Sequence, residues 1–309
     1  MMRWRWIWLA APLALAACHP AEQQGVSPAS HAPAATSSAP HATNGFEPPP
    51  ESSIPADEFG KQIALGWQIF TDTGHYAKAY VGNALNCENC HLDAGRLAHS
   101  APMWGAYPMY PAYRSKNHHV NTFAERLQGC FQYSMNGKAP PLGDDVLVAL
   151  EAYAYWMSKG EPIGVAPAGH GYPKLPRPTQ APDYVRGETV FKRDCALCHG
   201  DNGQGQRVAD RTVFPPLWGA QSFNWGAGME RLDNAAGFIK ANMPLGRGNT
   251  LTDQDAWDVA YYMNAHERPQ DPRFKGSIAE TRKAYHDTPD SLYGIAVNGK
   301  VLGQGVAVP

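Results

Sequence analysis

Two copies of the motif Cys-x-x-Cys-His constrain this chain of 309 residues more than any other feature. They occupy residues 87–91 and 195–199. Two cysteines at this spacing form thioethers with the two vinyl groups of one haem, and the histidine that follows binds the iron. The pattern therefore predicts two covalently attached haem c groups, held by Cys87, Cys90, His91, Cys195, Cys198 and His199.

Two other uses of these four cysteines remain open at this point. Four thiolates from two Cys-x-x-Cys pairs could complete a tetrahedral zinc site, and disulfides form readily in an oxidising compartment. A zinc site would have to join two pairs that are far apart in the chain, and it would leave the histidine after each pair without a role. Both observations favour haem.

The N-terminus has the features of a bacterial export signal. Residues 1–5 include two arginines, an apolar run follows to Ala17, and Cys18 comes next. The run is too short for a permanent membrane helix, so residues 1–17 are predicted to be a signal peptide. Acylation of Cys18 would anchor the mature protein to a membrane; an ordinary secretory signal cut nearby is the alternative. Because haem attachment to this motif is itself periplasmic in bacteria, we expect a periplasmic, lipid-anchored protein, and the absence of Asp after Cys18 favours the outer membrane.

The apolar pattern around each haem motif is helical. Residues 57–70 and 144–157 flank the first motif with helical periodicity, and residues 184–191 and 252–266 flank the second. No alternating strand pattern competes with these segments. This order resembles the class I cytochrome c fold, in which the terminal helices cross. The predicted fold is therefore all-α, with two tandem class I cytochrome c domains that each hold one covalently bound haem.

Composition divides the chain and excludes one class of partner. The 26 Lys and Arg residues are balanced by 28 Asp and Glu residues without a sustained basic stretch, so no nucleic-acid partner is predicted. Segments rich in Pro, Ala and Ser are typical of linkers. The expected order is a lipid-anchored flexible linker at 18–55, cytochrome c domain 1 at 56–162, an interdomain linker at 163–182, cytochrome c domain 2 at 183–285 and a C-terminal tail at 286–309.

The sixth ligand of the second haem is predicted to be a methionine. His199 supplies the proximal nitrogen, and a methionine directly before a proline, as at Met243, is the usual distal ligand of a class I cytochrome c. Met229 is a competing thioether. Lys240 is a further candidate, since a neutral amine could ligate ferric iron.

The sixth ligand of the first haem is predicted to be a thiolate. Cys130 follows His91 at nearly the distance at which Met243 follows His199. A thiolate favours ferric iron, whereas a thioether raises the reduction potential, so electrons would pass from haem 1 to haem 2. In the alternative interpretation Cys130 is a buried free thiol, and Met135 is the ligand.

The chain resembles the dihaem thiosulfate dehydrogenases, the family that forms tetrathionate, from about residue 56 to residue 275. The resemblance rests on residues 86–92, 126–137, 214–219, 242–244 and 266–273. It implies that haem 1 is the catalytic haem with ligands His91 and Cys130, and that haem 2 relays electrons with ligands His199 and Met243. Asn242 stands where some members carry Lys, which strengthens Met243.

The resemblance also implies the chemistry. Two thiosulfate anions would couple to tetrathionate with release of two electrons, in a reaction that could run in either direction, and another periplasmic cytochrome c would be the redox partner. Arginine forks suit such oxyanions, so Arg126 and Arg114 are candidate substrate clamps, with Ser134 as a neutral donor. We hypothesise that Cys130 leaves the iron and carries one thiosulfate as a covalent adduct. Alternative clamps are Arg96 and Lys116.

Two other functions compete with this interpretation. A dihaem electron carrier without substrate chemistry would place Met or His rather than Cys130 on haem 1. A sulfur-carrier transferase, resembling the cysteine-ligated haem subunit of the sulfur-oxidising complex, would conjugate thiosulfate to a partner protein and would not release tetrathionate.

The Gly- and Val-rich composition of the C-terminal tail predicts either a short strand or an ordered segment that wraps around the domain.

Overall fold

The computed structural model describes residues 46–208 and 211–308. The predicted signal peptide, Cys18 and most of the predicted N-terminal linker lie outside these residues. The helices are α1 Glu58–Thr71, α2 Thr73–Tyr76, α3 Leu92–Gly95, α4 Met103–Ala106, α5 Phe123–Gly129, α6 Asp145–Met157, α7 Tyr184–Asp194, α8 Ala196–His199, α9 Leu232–Asn242, α10 Asp253–Asn264 and α11 Ile278–Thr281. The strands are β1 Ala112–Arg114, β2 His119–Asn121, β3 Gln206–Val208, β4 Arg211–Phe214, β5 Ala296–Val297 and β6 Lys300–Val301.

The four helices that the sequence predicts begin at capping residues. A side-chain oxygen at such a position accepts a hydrogen bond from a backbone N–H of the first turn, which has no partner inside the helix. The four caps are Asp57 before α1, Asp144 before α6, Asp183 before α7 and Thr252 before α10.

Helices α1 and α6 cross in the first half of the described chain, and α7 and α10 cross in the second half. Each crossing needs a glycine at the point of closest approach. A Cβ atom on Gly66 would lie 2.2 Å from the carbonyl oxygen of Ala149, and one on Gly187 would lie 2.1 Å from that of Asp258. Any side chain at either position would separate the helices, because real Cβ contacts are not this short. The two halves thus repeat one packing device.

The core forms two clusters that share residues of both halves. The first is built around Trp104 and Tyr153, and the second around Trp225 and Trp257. Leu92, which follows His91, packs in the second cluster, whereas Phe223 from the second half of the chain packs in the first. Burial of this apolar surface holds the two halves against each other.

Short antiparallel strand pairs join β1 with β2, β3 with β4 and β5 with β6. The sequence pattern does not predict them, because two to four residues are too few for an alternating pattern to emerge. The last pair lies in the tail, whose end is fixed when the backbone N–H groups of Gly303, Gln304 and Gly305 donate to the Glu267 carboxylate. The described part of the tail is therefore an ordered wrap.

Both predicted linkers pack on the domains where the structure describes them. Residues 46–55, the end of the segment expected to be flexible, receive hydrogen bonds from Arg96 Nη2 at the carbonyl oxygens of Pro48 and Pro49. The interdomain segment has no helix or strand, yet Trp257 Nε1 donates to Pro176 O at 2.9 Å. Within the described residues, no helix combines the length and apolar character needed to cross a bilayer.

Candidate active site

A cavity of about 120 Å³ lies beside the first Cys-x-x-Cys-His motif. Its wall is mainly apolar, with Phe70, Leu127 and Leu150 among the lining residues. An apolar wall with a few placed polar groups is typical of cofactor pockets. The polar and sulfur groups in this wall include predicted site residues, namely Cys87, Cys90, His91, Arg126, Cys130 and Ser134.

His91 presents one ring nitrogen to this cavity in a form that can ligate a metal. Its Nδ1 lies 2.7 Å from the carbonyl oxygen of Ala101. A carbonyl can only accept, so Nδ1 carries the proton and Nε2 keeps its lone pair. Burial lowers the pKa of His91 to about 4, which keeps the imidazole neutral. A hydrogen bond of this kind usually orients the ring of a metal-bound histidine.

Cys130 is positioned by a change in helix type. Helix α5 ends at Gly129, and residues Cys130–Ser134 continue as a π-helical turn. Such turns occur often at functional sites. The start of α5 is fixed by a capping box between Thr122 and Glu125, so the helix delivers Cys130 from a well-anchored beginning.

Arg126 lies one helical turn before Cys130 and donates from Nη1 to its sulfur at 3.0 Å. The charge of the Cys130 thiolate raises the pKa of Arg126. The pair therefore places a reactive sulfur and an anion-binding guanidinium together in the cavity wall.

The cavity wall also contains residues that sequence analysis gave only as alternative ligands or did not identify. Met135, the alternative ligand of haem 1, is buried in the wall, and so is part of Met229, the alternative ligand of haem 2. The structure thus places Met229 on the side of His91. Tyr172, from the interdomain segment, is a lining residue that sequence analysis missed. An isolated aromatic residue between Gly171 and Pro173 in a Pro-rich stretch was its only signal.

The remaining candidate cations lie outside the wall. Arg114 is exposed on β1, with its guanidinium carbon 6.0 Å from the centre of the Tyr110 ring. Lys116 donates to the Gly226 carbonyl and lies 4.0 Å from the centre of the Tyr133 ring. Arg126, Ser134 and Cys130 line one cavity, whereas Arg114 lies outside that lining, beside Tyr110, which also interacts with Arg126.

The second motif repeats the orientation of the first. His199 Nδ1 lies 2.9 Å from the carbonyl oxygen of Pro215, and burial lowers the pKa of His199. Cys195 and Met243 both pack against the second core cluster. Lys240 is occupied elsewhere, since its Nζ donates to Leu251 O at 2.6 Å and lies 3.0 Å from Asp253 Oδ1.

The donor set fits haem better than it fits zinc or disulfides. Within residues 46–208 and 211–308, no group of three or more His, Cys, Asp or Glu side chains could hold a metal ion, and the cysteines are unpaired. Burial raises the pKa of Cys87, Cys90 and Cys195 to about 12, which opposes the thiolates that zinc requires. A neutral histidine with a free Nε2 beside two thiols is the set that covalent haem attachment uses.

Comparison with family models divides the chain between two cytochrome domains. Residues 74–163 match "SoxA/TsdA, cytochrome c domain", and residues 182–263 match "Cytochrome C oxidase, cbb3-type, subunit III". These matches and the helical structure confirm the predicted fold class of two cytochrome c domains, and with them the prediction of two covalent haem c groups.

Relatives and a solved structure are similar over most of the chain. A protein of Thiomonas intermedia named "Thiosulfate dehydrogenase" is 64% identical over 258 residues, which cover 84% of this chain and 82% of that protein. One of the same name from Stutzerimonas stutzeri is 56% identical over 263 residues, covering 84% and 86%. The structure "Thiosulfate dehydrogenase (TsdBA)" from Marichromatium purpuratum superposes with a TM-score of 0.82 at 50% identity, and the match covers 85% of this chain and 58% of that one.

Proposed function

The chain belongs to the thiosulfate dehydrogenase family of cytochrome c oxidoreductases, and on this premise we propose that it couples two thiosulfate anions to tetrathionate with release of two electrons. The observation that carries the proposal is the contact between Arg126 and Cys130 in the wall of the His91 cavity. A plain electron carrier has no need of a thiol and a guanidinium at this place.

Two dianions must approach each other before a sulfur–sulfur bond can form. Arg126 offers a planar fork of donors that stays charged and binds sulfonate oxygens in pairs. Ser134, on the same cavity wall, adds a neutral donor. The apolar remainder of the wall lowers the local dielectric constant, which strengthens both contacts. These groups offset the repulsion between the anions.

Cys130 supplies the sulfur on which the coupling takes place. Its thiolate bonds to the outer sulfur of the first thiosulfate, and two electrons leave, which gives a Cys130–S–SO₃⁻ adduct with one sulfur–sulfur bond to the protein. The outer sulfur of a second thiosulfate then attacks the same sulfur of the adduct, tetrathionate departs and the Cys130 thiolate is restored. The balance is two thiosulfates consumed, one tetrathionate and two electrons produced.

The two haem c groups, when bound, each supply a one-electron acceptor, so together they match the electron count. His91 and Cys130 would hold the first, and His199 and Met243 the second. A donor thiolate at one site and a thioether at the other set the direction of electron flow toward the second domain. A periplasmic cytochrome c is the proposed redox partner, and a lipid anchor at Cys18 is the proposed attachment to the membrane.

The covalent step predicts an isolable species. Incubation of the oxidised protein with tetrathionate is expected to add one thiosulfate to Cys130, because the thiolate displaces the other half of tetrathionate. Intact-protein and peptide mass spectrometry would detect the addition and its removal by a thiol reductant. The other described cysteines are expected to stay unmodified because they are thioether-linked to haem. A protein that turns over substrate without ever showing this mass would contradict the covalent route.

The proposed ligation of haem 2 by Met243 predicts that its reduction potential changes when this ligand is replaced. Replacing Met243 with Leu is expected to lower the potential of haem 2 by a sizeable part of the roughly 0.8 V range that axial ligands cover, and to leave haem 1 unchanged. Spectroelectrochemistry of the two haems would measure it. Met229→Leu is the matched control, because this methionine lines the cavity beside His91. A shift of haem 2 in the Met229 variant and none in the Met243 variant would reverse the assignment.

The function itself is tested on the purified dihaem protein. Addition of thiosulfate is expected to reduce an artificial electron acceptor, with one tetrathionate formed for every two electrons, as measured by chromatography. A protein that holds both haems but makes no tetrathionate would be an electron carrier. Consumption of thiosulfate only in the presence of an acceptor protein, without free tetrathionate, would identify a sulfur-carrier transferase.

A further inference from the structure

A buried cluster of charges lies where the C-terminal segment meets the second domain. His286 Nε2 lies 2.9 Å from Asp271 Oδ2, and His286 Nδ1 lies 3.4 Å from Glu230 Oε1. Ser291 Oγ donates to Glu230 Oε2 at 2.7 Å. The four side chains are almost inaccessible to solvent. Nothing in the proposed reaction uses them.

The charges in this cluster are matched. Burial disfavours a charged imidazole, but the Asp271 and Glu230 carboxylates outweigh it and raise the pKa of His286. Burial alone would raise the pKa of Asp271, but hydrogen bonds from His286 and Arg273 hold it below its ordinary value. Arg273 joins through Nη2, 2.6 Å from Asp271 Oδ2. Arg273, and His286 when it is protonated, thus face two carboxylates, as buried ion pairs require.

One arm of the cluster reaches the π-helical turn that carries Cys130. Arg273, held by Asp271, places its guanidinium carbon 5.0 Å from the centre of the Tyr133 ring. Lys116 contacts the same ring at 4.0 Å. Tyr133 lies within the turn Cys130–Ser134, so Arg273 and Lys116 both contact a side chain of this turn.

A second arm reaches the opposite part of the cavity. Glu230 ends the short 3-10 helix Gly228–Glu230, and the two residues before it, Gly228 and Met229, line the cavity. The backbone of this turn is also held by Asn264, whose Nδ2 donates to Met229 O at 3.2 Å. Displacement of the Glu230 carboxylate would therefore shift Gly228 and Met229 in the cavity wall.

We propose that the C-terminal segment is a positioning element of the active-site cavity, in which His286 clamps Glu230 and Asp271 and so fixes the two arms that shape the wall around Cys130. The consequence for substrate rests on the proposed function, whereas the positioning of the wall does not. His286 is a positioning residue, because it is not among the residues that line the cavity. A tail that only covers the second domain would not need charged contacts aimed at both arms.

The test compares three variants of the full-length dihaem protein. His286→Ala removes both contacts of the clamp. His286→Gln keeps an amide donor for Asp271 at lower cost to folding, and serves if the alanine variant does not accumulate. Glu267→Gln is the comparison variant, because it weakens the bonds from Gly303 and Gly305 that hold the same tail, together with the bond from Trp225 Nε1, and leaves the contacts of His286 with Glu230 and Asp271 in place.

Two readouts separate positioning from general stability. Hydrogen exchange reports the amides of Met135 and Gly137, which donate to Cys130 O and Phe131 O; both are expected to exchange faster in the His286→Ala variant and at the wild-type rate in Glu267→Gln. Thiosulfate kinetics are expected to show about a 10- to 100-fold loss of kcat/KM in His286→Ala, as small misplacements cause, with a smaller loss in His286→Gln.

The outcomes are decisive in either direction. Wild-type exchange at Met135 and Gly137 in both His286 variants would overturn the proposal, as would equal acceleration in Glu267→Gln, since general loosening would then explain it. If the wild-type protein makes no tetrathionate, the proposed function fails, but the exchange measurement still decides whether His286 positions the wall.

Discussion

Tetrathionate formation is expected to fall by at least about a thousandfold when Cys130 is replaced with alanine, because the covalent route then has no nucleophile. Both haems should stay attached, since Cys87, Cys90, Cys195 and Cys198 remain. The optical and electron paramagnetic resonance spectra of haem 1 should change while those of haem 2 persist. Chromatographic quantification of tetrathionate, with acceptor reduction followed in parallel, measures the loss.

Met135→Leu is the matched control for this variant. Met135 lies on the same turn, its side chain lines the same cavity, and a leucine of similar volume costs less than about 1.5 kcal/mol in a core. It is expected to retain most of the activity and the haem 1 spectrum. If Met135→Leu changes that spectrum and Cys130→Ala does not, Met135 is the ligand and the reaction does not pass through a cysteine adduct.

Removing the charge of Arg126 is the second large effect that we expect. Arg126→Gln should cost about 2–4 kcal/mol of transition-state stabilisation, or roughly 30- to 1,000-fold in kcat/KM, because a buried anion loses its charged partner. Arg126→Lys keeps the charge but loses the planar fork, so its loss should be smaller. Steady-state kinetics with thiosulfate measure both, and the division between kcat and KM shows whether Arg126 acts more on Cys130 or on the substrate.

Arg114→Gln provides the comparison at a second arginine that sequence analysis proposed as a clamp. Because Arg114 is exposed on β1 and outside the cavity wall, kcat/KM should stay within about fivefold of the wild-type value. Increasing ionic strength should weaken that small effect further. A loss at Arg114 as large as that at Arg126 would mean that substrate binds nearer to β1 than the cavity indicates.

Local signals in the sequence account for the helical framework. Asp57, Asp144 and Thr252 cap α1, α6 and α10, and each stands directly before an apolar helical repeat. A capping contact spans three residues and a helical period spans four, so a short window contains all of the information. The same holds for the pair Arg126 and Cys130, which one turn of helix brings together.

Long-range packing explains what the sequence pattern left open. Met229 and Met243 are both thioethers that follow His199 in the chain, yet Met229 packs against both core clusters and lines the cavity of His91, whereas Met243 packs against the second cluster and does not line that cavity. Tyr172 lines the cavity beside His91, although its segment has the composition of a linker. Chain distance does not encode these placements, because they depend on how the two halves of the molecule meet.

By itself the sequence determined two haem sites, the helices that enclose them and the thiol that distinguishes the first site from the second. The motifs and the helices depend on residues within a few positions of one another, whereas the prediction for Cys130 rests on its spacing from His91. Only the tertiary structure decided that Arg114 lies outside the lining of the cavity, that residues 46–55 are packed, and that His286 joins Glu230 to Asp271. The physical reason is that burial and charge pairing between distant segments are settled by the whole fold, in which an unpaired buried charge is too costly to remain.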